Sequence, residues 1–328
     1  MAAVFFSNGG RVRLTQATGI GIVVITYNSA RDLGPCLDAA VATGAEVVVV
    51  DNASADATRE VAARYPVRLI SNRSNLGFAA AVNQGFRAID CEYVLLLNPD
   101  AVLQTSIEPL RRLCGQANAA AAAGRLTGED GVAQTGFSIR RLPTPVAFAF
   151  EALLLNRLWP GNPVNWHYRC MDFDYGRLAR VEQPAGALLM VRRSVWERLG
   201  GFDETFCPVW FEDVDFCRRL KDSGADVWYS PDVVARHSGG SSVQRLRPDL
   251  RQVYWYASLL RYTVKHFRPW AQRWVFVAVM FGCLLRMTGV LFVRGRFQES
   301  CALGKVVRLA GRCLFRGPGT GVEVSSFL

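Results

Sequence analysis

Three carboxylates lie close together in the stretch FCPVWFEDVDFCRRL, residues 206–220, inside a frame of Phe, Trp, Val and Cys. Glu212, Asp213 and Asp215 have two interpretations. Acidic residues are favoured in the first turn of a helix, and the following Arg and Lys, with Gly224 as a stop, predict a helix here. A carboxylate in a partly apolar pocket beside another acid has a raised pKa, which suits a general base that takes a proton from a hydroxyl. The two interpretations are compatible, and the rest of the chain favours the second.

Four short apolar runs in the first third of the chain could form the scaffold that positions such a base. They are GIVVIT (21–26), EVVVVD (46–51), VRLIS from Val67 and EYVLLLN from Glu92. Continuous apolar runs are typical of strands buried on both faces, and the segments 30–42, 55–64 and 78–88 between them fit helices. Strand and helix alternating at this spacing predict right-handed βαβ units and a parallel sheet.

Each of the four predicted strands ends in small polar or acidic residues: TYN (26–28), DNAS (51–54), SNRSNLGF (71–78) and NPDA (98–101). Any one of them could be a turn or a helix cap. Ligands of open α/β sheets bind beyond the carboxyl ends of the strands, so four such ends indicate a shared polar site, with a nucleotide as the natural ligand. No GxGxxG follows the first strand, which makes a dinucleotide cofactor a poor candidate.

Size and composition exclude several classes of protein. The chain has 328 residues, half of them hydrophobic, so a large folded α/β domain is expected and disorder is not. The first 18 residues hold only a four-residue apolar run, which predicts no cleavable secretory signal. The nine cysteines are scattered without CxxC pairs, so neither a disulfide framework nor a structural zinc site is indicated. We expect the catalytic part in the reducing cytoplasm.

The positive charge is concentrated in the C-terminal part. From Arg245 onward, the chain has fourteen Lys and Arg and three acids, a net charge of +11. Residues 1–244 have a net charge of −1, and the two parts add to the total of +10. Residues 274–293 form a run of twenty with one charge, Arg286. Such a run can just span a bilayer, but an internal arginine is costly, so a helical hairpin or an interfacial helix fits better. A helix packed on the catalytic domain or in a dimer interface is the alternative. Nucleic-acid binding through the basic, aromatic segment 251–268 is disfavoured by the long apolar run.

Seven blocks of the sequence resemble, in order, those of the family 2 inverting glycosyltransferases: VVITYNSARDLGPCL, EVVVVDNASADAT, NRSNLGFAAAVNQG, YVLLLNPDA, GALLMVRRSVWERLGGFDETF, FEDVDFCRRL and HSGGSS. The chain looks most like the bacterial rhamnosyltransferases that extend cell-surface polysaccharides on lipid carriers. The resemblance covers about residues 20–243. It implies a GT-A fold, a Rossmann-like, mostly parallel central sheet flanked by helices, and a nucleoside-diphosphate-sugar donor.

The resemblance also implies roles for individual residues on the donor side. The donor nucleotide would be bound by Thr26, Tyr27, Asn28, Asp51, Asn52, Asn75, Gly77, Phe78 and Asn83. Asn98-Pro99-Asp100 stands where many relatives have Asp-x-Asp, whose last acid binds a divalent cation on the donor diphosphate. Asn98 removes one charge from that motif. Asp100 and His237 are the expected ligands of Mn²⁺ or Mg²⁺, and imidazole favours Mn²⁺ slightly; an ordinary loop histidine is the alternative for His237.

On the acceptor side, the resemblance makes Asp213 the general base, with Glu212 orienting either the acceptor or Asp213. Direct displacement inverts the anomeric carbon without a second nucleophile. Weaker acceptor-side candidates are Trp210, as an apolar wall for a sugar or as core packing, and Asp215, for which holding the helix start or a neighbouring Arg is the favoured role. Arg193, with Arg192, could contact a phosphate or form a solvated edge.

Together with the resemblance, which implies the GT-A domain, these patterns predict three parts. They are an N-terminal extension (1–19), a GT-A catalytic domain (20–243, with a nucleotide-binding half of about 20–125 and an acceptor-side half of about 126–243) and a basic, hydrophobic helical tail (244–328) that associates with a membrane. The predicted function is transfer of a sugar, best L-rhamnose from dTDP-rhamnose, to a hydroxyl of a lipid-linked glycan in cell-surface polysaccharide synthesis. A UDP- or GDP-linked donor, or a non-catalytic nucleotide-sugar-binding assembly partner, is the alternative. We expect this activity at the cytoplasmic face of the inner (plasma) membrane; a homo-oligomer is left open.

Overall fold

The computed structural model describes residues 19–239, 246–291 and 297–316. Most of the predicted N-terminal extension, the end of the HSGGSS block, the last two residues of the 274–293 run and the C-terminal twelve residues therefore lie outside the described residues. Within them the protein is a mixed α/β structure built on one large sheet, with helices on both faces and a group of C-terminal helices.

The described part of the chain contains eleven strands. In chain order they are β1 Ile20–Thr26, β2 Glu46–Asp51, β3 Arg68–Ser71, β4 Tyr93–Leu97, β5 Ala101–Leu103, β6 Ala119–Thr127, β7 Ile139–Arg140, β8 Ala179–Arg180, β9 Gln183–Pro184, β10 Leu188–Arg192 and β11 Asp226–His237. Nine of them form the central sheet in the order β3-β2-β1-β4-β10-β6-β11-β5, with β8 paired to β11. β7 and β9 form a separate antiparallel pair.

The four strands predicted from apolar runs are confirmed, and they are parallel neighbours. β1 and β4 are buried along their whole length, as continuous apolar runs require. β10 runs antiparallel to both β4 and β6, so it begins at the edge where β4 ends. β5 and β11 are also antiparallel, and their register places His237 beside Ala101. The carboxyl ends of β1, β2 and β4 therefore share one edge with the start of β10 and the end of β11.

Twelve helices accompany the strands in the described ranges. They are α1 Leu33–Ala42, α2 Thr58–Ala62, α3 Phe78–Ala88, α4 Glu108–Cys114, α5 Pro145–Ala152, α6 Leu155–Leu158, α7 Pro163–Tyr168, α8 Arg193–Arg198, α9 Glu212–Asp222, α10 Pro248–His266, α11 Pro269–Leu291 and α12 Phe297–Arg316. One core lies between the sheet and α1 and α4, and a second lies on the other face, under α3, α8 and α9. The helix predicted from the acidic stretch is α9.

A third core joins the C-terminal helices to the rest of the protein. It combines Phe148 of α5, Phe211 and Val214 at the start of α9, and buried residues of all three C-terminal helices, such as Tyr262 and Val279. Close approach is clearest at Gly282 of α11, where an added Cβ would lie 2.0 Å from the backbone oxygen of Ala152. The predicted tail thus shares a core across residue 243, while the predicted division into domains stays a prediction.

Among the described residues, no helix has both the length and the apolar character needed to cross a bilayer. In α11 the arginine within the apolar run is held by the protein. Arg286 donates through its guanidinium to the Tyr256 hydroxyl at 2.6 Å and to the Gly282 oxygen at 3.1 Å. Its charge is therefore directed toward α10.

Candidate active site

A cavity of about 520 Å³ opens at the edge where β1 and β4 end. Volumes of this size hold drug-sized and cofactor-sized ligands. Residues from all four strand ends, from α5, from the segment before α9 and from α10 contribute to its wall. Of the sequence-predicted residues, those that line it are Thr26, Tyr27, Asn52, Asn75, Phe78, Asp100, Trp210, Glu212, Asp213 and His237.

On the nucleotide side, Asn52 organises the loop that follows β3. Its amide nitrogen donates to the side-chain oxygen of Asn75 at 2.8 Å and to the Gly77 oxygen at 3.2 Å. Its side-chain oxygen accepts the backbone N–H of Leu76 at 2.9 Å. These bonds hold Asn75 and Phe78 against the cavity. Aromatic, amide and hydroxyl groups together form a surface that can contact a base and a ribose.

Asp51 and Asn28 lie outside the cavity lining. Asp51 is fully buried, and its carboxylate accepts hydrogen bonds from the Thr26 hydroxyl at 3.1 Å and from the backbone N–H of Ser54 at 3.1 Å. Asn28 has a φ of 52°, and its side-chain oxygen accepts the backbone N–H of Ala55 at 2.8 Å. Both side chains connect the loops after β1 and β2 to each other, so they support the nucleotide side of the cavity without lining it.

Gly77 and Asn83 also lie outside the lining. Gly77 precedes α3 with a φ of 88°, and a Cβ there would lie 3.0 Å from the Cys207 sulfur, so a side chain would be strained and crowded. Asn83 is buried and bonds in both directions to Phe202, donating to its oxygen at 2.8 Å and accepting from its N–H at 2.9 Å. It ties α3 to the segment leading to α9.

Asp100 and His237 meet at one corner of the cavity, as the register of β5 and β11 requires. His237 Nε2 lies 3.4 Å from Asp100 Oδ1 and 3.4 Å from the Asn98 amide nitrogen. On the other side of the ring, Nδ1 lies 2.9 Å from Gln134 Oε1, an acceptor that requires the proton on Nδ1. In the neutral form of the ring, Nε2 then carries the lone pair and faces Asp100, the orientation of a metal-ligating histidine.

Hydrogen bonds connect this corner to the base candidate. The backbone N–H of Gly186 donates to Asp213 Oδ2 at 3.1 Å, and the next residue, Ala187, accepts the N–H of Asn98 at 3.0 Å. Asp213 and Asp100 thus face one cavity, and residues 186–187, which precede β10, lie between them.

The acidic pair begins α9 directly after two residues in the left-handed region, Trp210 with φ 78° and Phe211 with φ 72°. Burial raises the pKa of Asp213, while the N–H groups of Gly186 and Val214 and the charge of Arg140 oppose the rise. Burial, with the neighbouring Asp213 as a second cause, raises the pKa of Glu212 well above its usual value. Glu212 is 4 % exposed, and its Oε2 has no hydrogen-bond partner among the described residues. Two backbone N–H groups stabilise the carboxylate of Asp213, whereas Glu212 Oε2 is buried without such a donor, which favours the protonated form of Glu212.

Asp215 and Arg193 do not reach the cavity. Asp215 points to the opposite side of α9 and pairs with Arg219, Lys265 and His266. Arg193 follows β10, which runs antiparallel to β4, so it lies at the far edge of the sheet. There it pairs with Asp90 at 3.0 Å and Glu197 at 2.7 Å. Arg192 is at the same edge and donates to the Cys114 oxygen.

Several lining residues were not predicted from the sequence. Arg140, Tyr168 and Arg169 come from the stretch around 140–180, which has weak periodicity, and Trp255 comes from α10. Gln134 orients His237 from the segment after β6. The two arginines bring positive charge to a cavity that also contains four carboxyl groups, those of Asp100, Glu151, Glu212 and Asp213. A basic pair in the irregular stretch over a nucleotide site was the available signal.

Comparison with known proteins identifies the family. The family model described as glycosyl transferase family 2 matches residues 21–173. The N-acetylglucosaminyl-diphospho-decaprenol L-rhamnosyltransferase of Mycobacterium tuberculosis is 32% identical over 246 residues, which cover 68% of this chain and 77% of the relative. The protein belongs to glycosyl transferase family 2.

A second relative is similar in sequence, and a solved structure is similar in fold. The low-salt glycan biosynthesis hexosyltransferase Agl10 of Haloferax volcanii is 25% identical over 243 residues, 73% of each chain. The mannosyltransferase of Pyrobaculum calidifontis, solved with GDP-Man and Mn²⁺, superposes with a TM-score of 0.52 at 17% identity over 91% of this chain and 87% of that one. The family 2 chain therefore has the GT-A-like fold expected from its sequence.

Proposed function

We propose that the protein is an inverting glycosyltransferase that moves a sugar from a nucleoside diphosphate to a hydroxyl of a lipid-linked glycan. The observation that carries the proposal is the shared cavity of Asp100 and Asp213 at the ends of β1 and β4. A donor bound along that edge would direct its diphosphate toward Asp100 and His237, and its anomeric carbon toward Asp213. One cavity can then hold the leaving group and the base on separate sides of the reacting carbon.

The proposed donor is dTDP-L-rhamnose. Its support is the relative from Mycobacterium tuberculosis, which is named for rhamnosyl transfer to a diphospho-decaprenol carrier. A rhamnosyltransferase of Escherichia coli is also similar, at 25% identity over 159 residues. The proposed acceptor is a lipid-linked glycan of cell-surface polysaccharide synthesis, and the diphospho-decaprenol in the name of the Mycobacterium tuberculosis relative supports its lipid-linked nature. A UDP- or GDP-linked sugar remains the alternative donor.

The chain's own residues supply the proton transfer. Asp213 accepts the proton of the acceptor hydroxyl as that oxygen forms its bond to the anomeric carbon and the bond from this carbon to the diphosphate oxygen breaks. Attack from the face opposite the leaving group inverts the configuration. The backbone N–H groups of Gly186 and Val214 fix both oxygens of Asp213, at 3.1 and 2.8 Å, so that the base is oriented before substrate binds. Arg140 and Arg169 oppose the negative charge of the phosphates.

The chemistry of the Asp100–His237 corner fits a divalent cation. It offers one carboxylate and one imidazole whose Nε2 lone pair is fixed by Gln134, with room for phosphate oxygens and waters. No cluster of three or more His, Cys, Asp or Glu ligands occurs within the described ranges, so the donor itself would complete the site. When bound, Mn²⁺ or Mg²⁺ would stabilise the charge on the departing diphosphate as a Lewis acid.

Replacement of Asp213 by Asn tests this proposal. We expect transfer from dTDP-rhamnose to a lipid-linked acceptor to fall by about 10² to 10⁴, the usual contribution of a general base. Donor affinity, measured by isothermal titration calorimetry with Mn²⁺ present, should change little because the nucleotide side of the cavity is unaltered. Asp222→Asn, on the same helix and outside the cavity, is the matched control and should retain transfer.

Full transfer by the Asp213→Asn protein would refute the assignment of the base. A panel of nucleotide sugars, screened by thermal shift with and without Mn²⁺, identifies the donor. If the unaltered protein binds a nucleotide sugar yet neither transfers nor hydrolyses it with either metal, the protein is the non-catalytic binding partner that Asn98 suggests as the second candidate.

A further inference from the structure

The outward face of α11 is a continuous apolar surface. Its exposed residues recur every three or four positions, as one side of a helix does, and they are Trp270, Trp274, Val277, Phe281, Leu284 and Leu285. We refer to these six residues as the α11 stripe. The exposed fraction is 69% at Trp274 and 55% at Phe281. The inward face, with Val275, Phe276 and Val279, is buried in the third core. One helix therefore has an apolar face for the protein and a second apolar face with no cover in the described structure.

Charge around the α11 stripe indicates what covers it. α11 contains no acidic residue, and residues 268–316 contain nine Lys and Arg against one acid, Glu299. Arg268 and Arg273 are exposed beside the tryptophan end of the stripe, and Arg308 is exposed on α12. Helices that lie in a membrane interface combine an apolar face rich in Trp, Phe and Leu with flanking basic residues, which are attracted to anionic lipid.

We propose that the α11 stripe docks the protein onto the surface of an anionic bilayer, with α11 parallel to the membrane plane. The opposite face of α11 is buried in the third core, so only the stripe can enter the bilayer and the contact is a shallow one. A second copy of the chain is the poorer occupant. A two-fold contact through the stripe would bring in a second set of basic residues with no acidic residue of α11 to pair with them, and like charges at an interface oppose association.

The position of α11 relative to the cavity indicates how docking would serve sugar transfer, an inference that rests on the proposed function. α11 packs directly on α5 at Gly282 and Ala152. α5 in turn lines the cavity through Phe148 and Glu151. Packed helices are about 8–10 Å apart, so the stripe lies roughly two helix layers from the cavity. A glycan attached to a lipid carrier in the same bilayer would be held near Asp213.

Vesicle flotation of the full-length protein tests the docking without any need for activity. We expect the protein to float with phosphatidylglycerol–phosphatidylcholine vesicles and to float less with phosphatidylcholine alone. Raising the salt from about 0.1 to about 0.5 M should weaken the binding, because it screens the basic residues. The double variant Trp274→Glu/Phe281→Glu should lose about tenfold or more of its vesicle partitioning. Both side chains are exposed, so the variant should fold, and thermal unfolding verifies this.

The matched control compares two exposed valines. Val277→Glu lies in the stripe and should reduce partitioning, whereas Val132→Glu, at an exposed turn after β6, should leave it unchanged. Equal loss by the two valine variants would overturn the proposal. Failure of the unaltered protein to float, together with a dimer that the double variant dissociates in sedimentation, would assign the stripe to a second copy. Hydrolysis of the nucleotide sugar in solution should be the same in the double variant and the unaltered protein, which separates failure of docking from failure of the proposed function.

Discussion

Replacement of Asp215 by Asn should destabilise the protein far more than its helix position suggests. Asp215 has no exposed surface and pairs with three basic side chains: Arg219 Nε at 2.8 Å, Lys265 Nζ at 2.7 Å and His266 Nε2 at 2.7 Å. Arg219 is on α9, whereas the other two are at the end of α10. The carboxylate therefore joins the helix that carries Asp213 to the first C-terminal helix.

Breaking a buried ion pair from one side typically costs about 3–5 kcal/mol, because the remaining charges stay desolvated. Lys265 keeps about a third of its side-chain surface exposed and Arg219 about a fifth, so both can regain some solvation. The lower end, about 3 kcal/mol, is the expected loss in the free energy of unfolding. At about 2–4 °C per kcal/mol for a chain of this order of size, the melting temperature should fall by roughly 6–12 °C.

The effect should also depend on pH in a defined direction. Burial opposes the charged form of Asp215, but the hydrogen bond from His266 and the charges of Arg219 and Lys265 outweigh it and lower its pKa. A lowered folded-state pKa gives stability that is present above the unfolded value and lost as pH falls through the folded value. The difference between the unaltered and Asp215→Asn proteins should be complete at pH 6–7, and it should shrink below the ordinary value of 3.8.

Thermal unfolding followed by circular dichroism measures both effects. The matched control is Asp222→Asn, which removes the other Arg–Asp pair at i,i+4 on α9; Arg218 Nε lies 3.0 Å from Asp222 Oδ1, and the Asp222 side chain is 54% exposed. An exposed helix pair contributes about 0.3–0.5 kcal/mol. A loss in Asp215→Asn that matches the control, or a difference between proteins that does not change with pH, would refute the reasoning.

Three further predictions concern the base, the metal corner and the α5–α11 contact. Glu212→Gln should retain transfer within about a factor of five at pH 7, since the amide mimics a protonated carboxyl; steady-state kinetics showing a hundredfold loss would contradict a neutral Glu212. Gln134→Ala should weaken Mn²⁺ binding in the presence of nucleoside diphosphate by about 10- to 100-fold, measured by calorimetry, because His237 loses its orienting acceptor; unchanged affinity would exclude that role. Gly282→Ala should lower the free energy of unfolding by about 1–3 kcal/mol, because the added methyl overpacks against Ala152. Gly304→Ala, where only the Met287 methyl lies within reach at 3.9 Å, should be neutral or stabilising in thermal unfolding.

The nucleotide side of the fold could be predicted because its signals are local. A continuous apolar run determines a buried strand, and parallel strands must bring their carboxyl ends to one edge, whatever the rest of the chain does. α3 occupies residues 78–88 as predicted, whereas α1 begins only at Leu33 because Asp32 and Leu33 first donate to the Ser29 oxygen in a turn. The orientations of side chains such as Asp51 and Asn83 were harder to predict, since a polar residue near a strand end or on a neighbouring helix can face the ligand or stabilise a loop beside it.

The packing of the C-terminal region could be predicted only in part from the sequence, for a different reason. α11 is apolar on nearly every side, and a helix with two apolar faces gives no periodic signal that separates the core face from the exposed one. The composition therefore suggests membrane association without revealing that Val275 and Val279 belong to a protein core. Likewise Arg140 and Trp255 reach the cavity, and Gln134 reaches His237, through tertiary packing of segments far apart in sequence. No local pattern encodes that proximity.

The structure makes α9 the element on which these features converge. Its first turn presents Asp213 to the cavity, and its opposite side binds α10 through Asp215. α10 contributes Trp255 to the cavity wall and holds Arg286 of α11 through Tyr256. The base, the cavity wall and the α11 stripe are thus parts of one packed unit. If the acceptor is carried by a lipid and the α11 stripe docks on the bilayer, as we propose, this packing would hold Asp213 at a fixed height above the membrane, because cores of close-packed side chains deform little.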